Sequence, residues 1–417
     1  MEVLESRRLC SRSWSIIDVS PLDVGANVYA VGPGNILVGH NGAPSATAWR
    51  VGHDGSLSSQ WLMDPGASSL LKDINSSGSL VGMSFPRTTD KPTSGTLWKP
   101  AKDGGYVRID LGALTGPAEI FSDANRIADN GLIAGTASIP NTAQHPAVAW
   151  LKRDGSVAMV DLIATRPDKK SEFSFANDVS SGGFIVGYRG SRAVVWALGR
   201  NDRVDETFLD TLGGATNNAL AVSSSGKVVG VSATSLKLSG IGPAAYMGFV
   251  SSRIGNVWSV TSLGTLPHEE VSSAADINDS GVIVGGAGHS AIDSRGKVSG
   301  GGRRAVLWQL NHGKYSIVPL DTLIPRHSGW TSLTEARRIN NDGTILGQGW
   351  KNGEEHTFLL VPPRVPPRST SSSVTETQVT ASPASAAIPN PGPVNAAVIS
   401  TTPKVENALF EDETDLF

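Results

Sequence analysis

The sequence lacks most of the groups that announce a chemistry. It has a single cysteine, Cys10, which excludes an internal disulfide framework and any cysteine-based zinc cluster. Charged side chains make up 18% of the 417 residues and aromatics 6%, so the charged share falls below the usual quarter. No run approaches the 18 apolar residues of a membrane span. Only Ile16-Ile17 stand where a signal peptide needs at least seven apolar residues, so neither a span nor a cleaved leader is expected. Arg7-Arg8 has the form of a twin-arginine pair but lacks the apolar stretch that such a signal carries. Charge of one sign is scarce as well. The net charge is −3, and residues 362–417 account for it with three cations and six anions. The remainder is neutral overall and has no electrostatic footprint for a phosphate backbone, so no nucleic-acid partner is expected. There is no Gly-x-Ser-x-Gly elbow, no dinucleotide fingerprint and no phosphate loop ending in Gly-Lys-Ser/Thr.

What is abundant is glycine (47) and proline (24), the composition of many short strands joined by turns. One ten-residue block occurs seven times. It reads AVGPGNILVG from Ala30, DINSSGSLVG from Asp73, RIADNGLIAG from Arg126, DVSSGGFIVG from Asp178, AVSSSGKVVG from Ala221, DINDSGVIVG from Asp276 and RINNDGTILG from Arg338. The terminal glycines, Gly39 to Gly347, lie 43 to 62 residues apart, which suits a four-stranded blade.

The second position is always β-branched, from Val31 to Ile339, as a buried strand prefers. The sixth is Gly in six copies and Asn35 in the other; these types accept positive φ, so a tight left-handed turn is expected there. The eighth and ninth positions are apolar in every copy, as in a strand covered on both faces. Five copies carry Ala two residues before the block, from Ala124 to Ala336, a small residue for a crowded place. Upstream lies a short apolar strand, such as Val160 to Leu162. Downstream lies one ending in an aromatic, at Trp49, Trp98, Trp150, Trp196, Phe249, Trp308 and Phe358, read as a ring wedged between sheets. Counting strands places an upstream strand first, near Trp14 to Val19, and a downstream strand last, near Leu360. The first should therefore complete the seventh blade.

These units resemble the HAF-type repeat of the "probable extracellular repeat" family. Phe208 to Gly214 and Ser262 to Leu266 look like its Asp-Leu-Gly-Thr-Leu-Gly-Gly element. Ala274 to Gly285 is similar to its Ala-x-x-Ile-Asn-x-x-Gly-x-Val-Val-Gly element, and His145 to Trp150 and His356 to Leu360 keep its histidine. The resemblance covers about residues 14 to 361. It implies a β-propeller and an extracellular or secreted location, with a cytoplasmic one as the alternative. It brings no reaction, substrate or catalytic residue.

Asp73-x-Asn75-x-Ser77-Gly78 and Asp276-x-Asn278-x-Ser280-Gly281 have the outline of calcium loops. The first block position, however, runs Ala, Asp, Arg, Asp, Ala, Asp, Arg around the ring. Arginine cannot ligate a cation, so the polar residues are read as turn chemistry. The eight histidines show no ligand spacing. His145 and His356 share one repeat position, where a structural hydrogen bond at a strand start is expected. No catalytic, cofactor-binding or metal-binding residue is assigned.

The expected organisation is an N-terminal extension (1–13), a seven-bladed all-β propeller (14–361), and a disordered Pro/Ser/Thr/Ala-rich tail (362–417). The tail ends in an acidic-aromatic segment, 409–417, with the form of a short linear motif. The expected function is a non-catalytic interaction scaffold for a protein or glycan, with contacts on the inserted loops 233–245 and 286–302. The alternative is a carbohydrate-active propeller enzyme, a glycosidase or lyase, with carboxylates at the channel mouth.

Overall fold

The computed structural model describes residues 14–20 and 26–363, apart from 43–44, 53, 64–67, 86–92, 113, 115–121, 139–143, 153, 164–172, 239–243, 256 and 293–297. The N-terminal extension and residues 364–417, with the segment 409–417, lie outside the described residues.

The chain is a seven-bladed β-propeller. Seven antiparallel sheets of four strands follow one another, with inner strands Asn27–Gly32, Ser69–Ile74, Ser122–Ile127, Ser174–Val179, Gly213–Val222, Val271–Ile277 and Trp330–Ile339. We number the blades 1 to 7 in that order. Among the described residues the only helical turns are three-residue 3-10 segments, and no helix is long and apolar enough to cross a membrane.

The ring closes as the strand count requires. Strand Ser15–Asp18 is the outer strand of blade 7, pairing Ser15 with Val361, Ile16 with Leu360, Ile17 with Leu359 and Asp18 with Phe358. Ile17 and Val19 are buried against Leu346, Leu359 and Trp49, so this strand fills space between blades 7 and 1. Asp18 accepts bonds from Lys351 Nζ and His356 Nδ1, both at 2.8 Å.

The block spans the end of an inner strand, a hairpin turn and the next strand. Its sixth residue has positive φ in every blade, from Asn35 (57°) to Gly131 (86°). Its final glycine has a different cause. Every inner strand carries a β-bulge between the residue two before the block and the first block residue, for example between Ala124 and Arg126. The bulge pushes a carbonyl toward the partner strand. A Cβ on Gly187 would lie 1.9 Å from Phe175 O, and one on Gly285 2.0 Å from Ser273 O; the other five final glycines meet a backbone carbonyl at 1.8–2.2 Å. No side chain fits there.

Blades pack face to face through apolar layers such as Ala221, Val229, Ala274, Ile277 and Trp308. The downstream aromatics do not form one equivalent wedge. Strand register places Trp49, Trp98, Trp196 and Trp308 two residues beyond the partner of the final glycine, while Phe249 and Phe358 are that partner themselves. Trp150 is three beyond. It thus projects from the opposite face of its strand and is only half-buried. Similar volume at different heights fills the wedge between sheets, so the sequence position slips while the packing is kept.

Candidate functional site

Antiparallel topology sorts the connections onto two faces. The block turns and the turns before each outer strand lie on one face. The second-to-third strand turns and the links between blades lie on the other.

A polar cavity lies on the axis. An inner strand is a sheet edge, and its outward N–H groups need partners. The first block position supplies them. Asp73 Oδ2 accepts from Ile127 N at 2.9 Å, Asp178 Oδ2 from Val222 N at 2.8 Å and Asp276 Oδ2 from Ile339 N at 2.9 Å. Each aspartate thus ties its blade to the next, and Asp276 Oδ1 also takes Ile277 N at 2.8 Å.

The third position adds a further tier. Asn75 Nδ2 donates to Ala128 O, Asn278 Nδ2 to Asn340 O and Asn340 Nδ2 to Gly32 O, at 3.1–3.2 Å. The Oδ1 of each caps its own turn, accepting from Ser79, Val282 and Thr344 N at 2.9–3.0 Å. The residues with the outline of calcium loops are therefore occupied by turn and inter-blade bonds.

These residues enclose a cavity of about 260 Å³ that opens on the block-turn face and is lined by Ala30, Asp73, Arg126, Asp178, Asp276 and Arg338, among others. Burial raises all three inner acids. Asp178 is pushed up to about 8 and Asp276 to about 7, against an ordinary value of 3.8. Asp73 is raised too. For each, the Arg126 charge works against that loss of hydration, and the neighbouring carboxylates add to it. Near neutral pH the cavity therefore contains carboxyls that can donate a proton or a hydrogen bond.

The opposite face carries other features. The inserts at 233–245 and 286–302, expected as loops, are largely strand. Val228–Lys237 pairs with Ala244–Ile254, and Ile283–Ile292 with Val298–Asn311, so both inserts lengthen hairpins of blades 5 and 6. Pairing satisfies backbone groups that an irregular loop of this length would leave to water. On blade 4 of the same face Phe175 stacks on Tyr188 with centroids 5.9 Å apart, and exposed Phe173 lies 5.2 Å from Phe175. The repeat pattern gave no sign of this group.

His145 and His356 occupy equivalent positions by register. Each bonds through Nδ1 at 2.8 Å to an outer-strand acid, Asp161 and Asp18 respectively. In blades 4 and 6 that position holds Arg192 and Arg304; Arg304 bonds both oxygens of Asp321 at 2.9–3.0 Å. The histidine of the repeat is one form of a clasp between the third and fourth strands.

The axial ring itself was visible in the sequence only as Asp at every second copy of the first block position, with Ala or Arg between, where the flanking position is always β-branched. A polar residue recurring beside buried ones was the available signal.

No family model matches the sequence, and no curated protein matches it. Among solved structures, the chain is similar to an ancestral GH74 enzyme at 10% identity and a TM-score of 0.31, over 82% of this chain and 49% of that one. It is also similar to the periplasmic gluconolactonase PpgL of Pseudomonas aeruginosa, at 12% identity and a TM-score of 0.35, over 84% of this chain and 96% of that one. The chain thus spans about half the length of the GH74 enzyme. Likeness at this level carries no information about activity.

Proposed function

We propose that the chain is a non-catalytic binding scaffold for a protein or glycan ligand, working outside the cell as the repeat resemblance implies. The observation that carries this reading is the use of the axial acids. Asp73, Asp178 and Asp276 each accept a backbone N–H of the following blade, so they serve as struts of the ring. What remains for recognition is a rigid body with a polar axial cavity on one face. The other face presents two lengthened hairpins and the Phe173–Phe175–Tyr188 group, the kind of varied periphery on which binding residues concentrate.

A second reading, a carbohydrate-active enzyme, is favoured by one observation: Asp178 and Asp276 are held near neutrality in the same cavity, as a general acid requires. Binding without turnover separates the two. The chain would be screened on a glycan array and a panel of secreted proteins, with chromatographic analysis of any glycan retained. Retention with the glycan intact supports the scaffold. Product release abolished by Asp178→Asn or Asp276→Asn selects the enzyme.

A further inference from the structure

We infer that the axial cavity is a binding site for a small organic carboxylate, held between the guanidiniums of Arg126 and Arg338. This names a ligand class for one face of the proposed scaffold and rests on that reading. Arg126 belongs to blade 3 and Arg338 to blade 7, so they face each other across a seven-membered ring, three blades apart one way and four the other. Both are half-buried and line the cavity.

Their donors are largely unspent. A guanidinium has five N–H groups in a planar fork. Arg126 Nη1 bonds Asn125 O at 2.8 Å and Arg338 Nη1 bonds Arg337 O at 2.8 Å. Among the described residues, no carboxylate stands at ion-pair distance from either. Arg338 Nε is shut off from water and has no partner. A donor closed to water is closed to a ligand as well, so the groups of Arg338 left for an anion in the cavity are its Nη nitrogens.

The neighbouring acids do not pair with the two arginines; one oxygen of each is committed to a backbone N–H group of the next blade. With Asp178 and Asp276 raised to about 8 and about 7, these two acids do not cancel the charge of the arginines below neutral pH. Asp129, Asp279 and Asp342 also line the cavity, but they are exposed, where water and salt screen them. Asp178 and Asp276, while protonated, add O–H donors suited to a carboxylate oxygen.

Size and shape narrow the class. A cavity of about 260 Å³ corresponds to about nine waters at ~30 Å³ each, so the ligand is small. The planar fork pairs bidentately with the two coplanar oxygens of a carboxylate, a match that a single hydroxyl does not offer.

The test is titration of the full chain by calorimetry and saturation-transfer NMR, using acetate, succinate, sulfate and the neutral analogue succinamide at pH 6 and pH 9. Acetate or succinate should bind saturably at pH 6, at least tenfold more tightly than sulfate or succinamide. Affinity should drop at least tenfold in both Arg126→Gln and Arg338→Gln. Raising the pH to 9 should weaken binding in the wild type and weaken it less in Asp178→Asn. Should a glutamine variant fail to fold, phenylglyoxal labelling of the wild type followed by mass spectrometry gives the same information: succinate should protect Arg126 and Arg338. Absence of carboxylate binding, sulfate binding of equal strength, or binding indifferent to both arginines with no protection overturns the inference. None of these results touches the scaffold reading, which falls if a bound glycan is turned over.

Discussion

Replacing Ile17 by alanine probes closure of the ring while leaving the strand in place. Ile17 is 3% exposed and packs with Trp49, Leu346 and Leu359, so its loss empties a site touched by both blade 7 and blade 1. Removing a buried isoleucine in this way costs about 2–5 kcal/mol. For a domain of this size, at ~2 cal/mol/K of unfolding entropy per residue, that lowers the melting temperature by roughly 3–7 °C. Ile16 is only half-buried, and Ile16→Ala should cost less. Deleting residues 1–20 should exceed either substitution, because it uncovers Leu359 and breaks the bonds of Asp18 to Lys351 and His356. Differential scanning calorimetry on these variants, beside a chain ending at Pro363, reads the comparison directly. The shortened chain should melt as the wild type does. If Ile17→Ala and the deletion of residues 1–20 both melt within a degree of the wild type, the strand contributes nothing to closure and the reasoning fails.

Gly281→Val places a β-branched residue at φ 78° and should cost about 1–3 kcal/mol in strain, while Asn35→Gly should be close to neutral in the same melts. Gly187→Ala puts a Cβ 1.9 Å from Phe175 O; a bulged backbone cannot retreat, so chemical denaturation should show a loss of about 3 kcal/mol or more. Stability should also fall as pH rises from about 4 to about 8. Asp178 and Asp276 keep their protons longer in the folded chain than in the unfolded one, so their contribution is complete at low pH and fades as pH passes their folded values. Asp178→Asn should flatten that decline; an unchanged melting profile between pH 5 and 9 would contradict it.

The turn residue was legible in sequence because its requirement is local: positive φ restricts the choice to Gly or Asn wherever the hairpin occurs. The same holds for the apolar pair at the eighth and ninth positions, which is buried in every blade. The final glycine was legible as a repeat but not as a cause. The carbonyl that forbids its side chain belongs to another strand, twelve residues earlier in the case of Gly187 and Phe175. The axial cavity was further out of reach, since Asp73, Asp178 and Asp276 lie about a hundred residues apart and meet only when the ring closes. The hairpins of blades 5 and 6 were found by length. Their strand character was hidden because residues such as Gly286, Gly288 and Gly300 give the sequence no alternation of apolar and polar side chains.

The strand Ser15–Asp18 is made early and finds its partner Phe358–Val361 some 340 residues later. At the ~5–20 residues per second of synthesis, the ribosome has roughly 20–70 s of further work before that partner exists. During this interval Ile17 and Val19 have no site to enter, and blade 1 presents Trp49 and Leu37 without the cover that blade 7 will provide. The nascent chain must therefore be shielded, or remain soluble as an open arc. A circular permutant opened at the short turn Gly190–Ser191 would shift the unpaired interval to a different blade. Its yield relative to the natural order would show whether the open arc, rather than the closed ring, limits production of this protein.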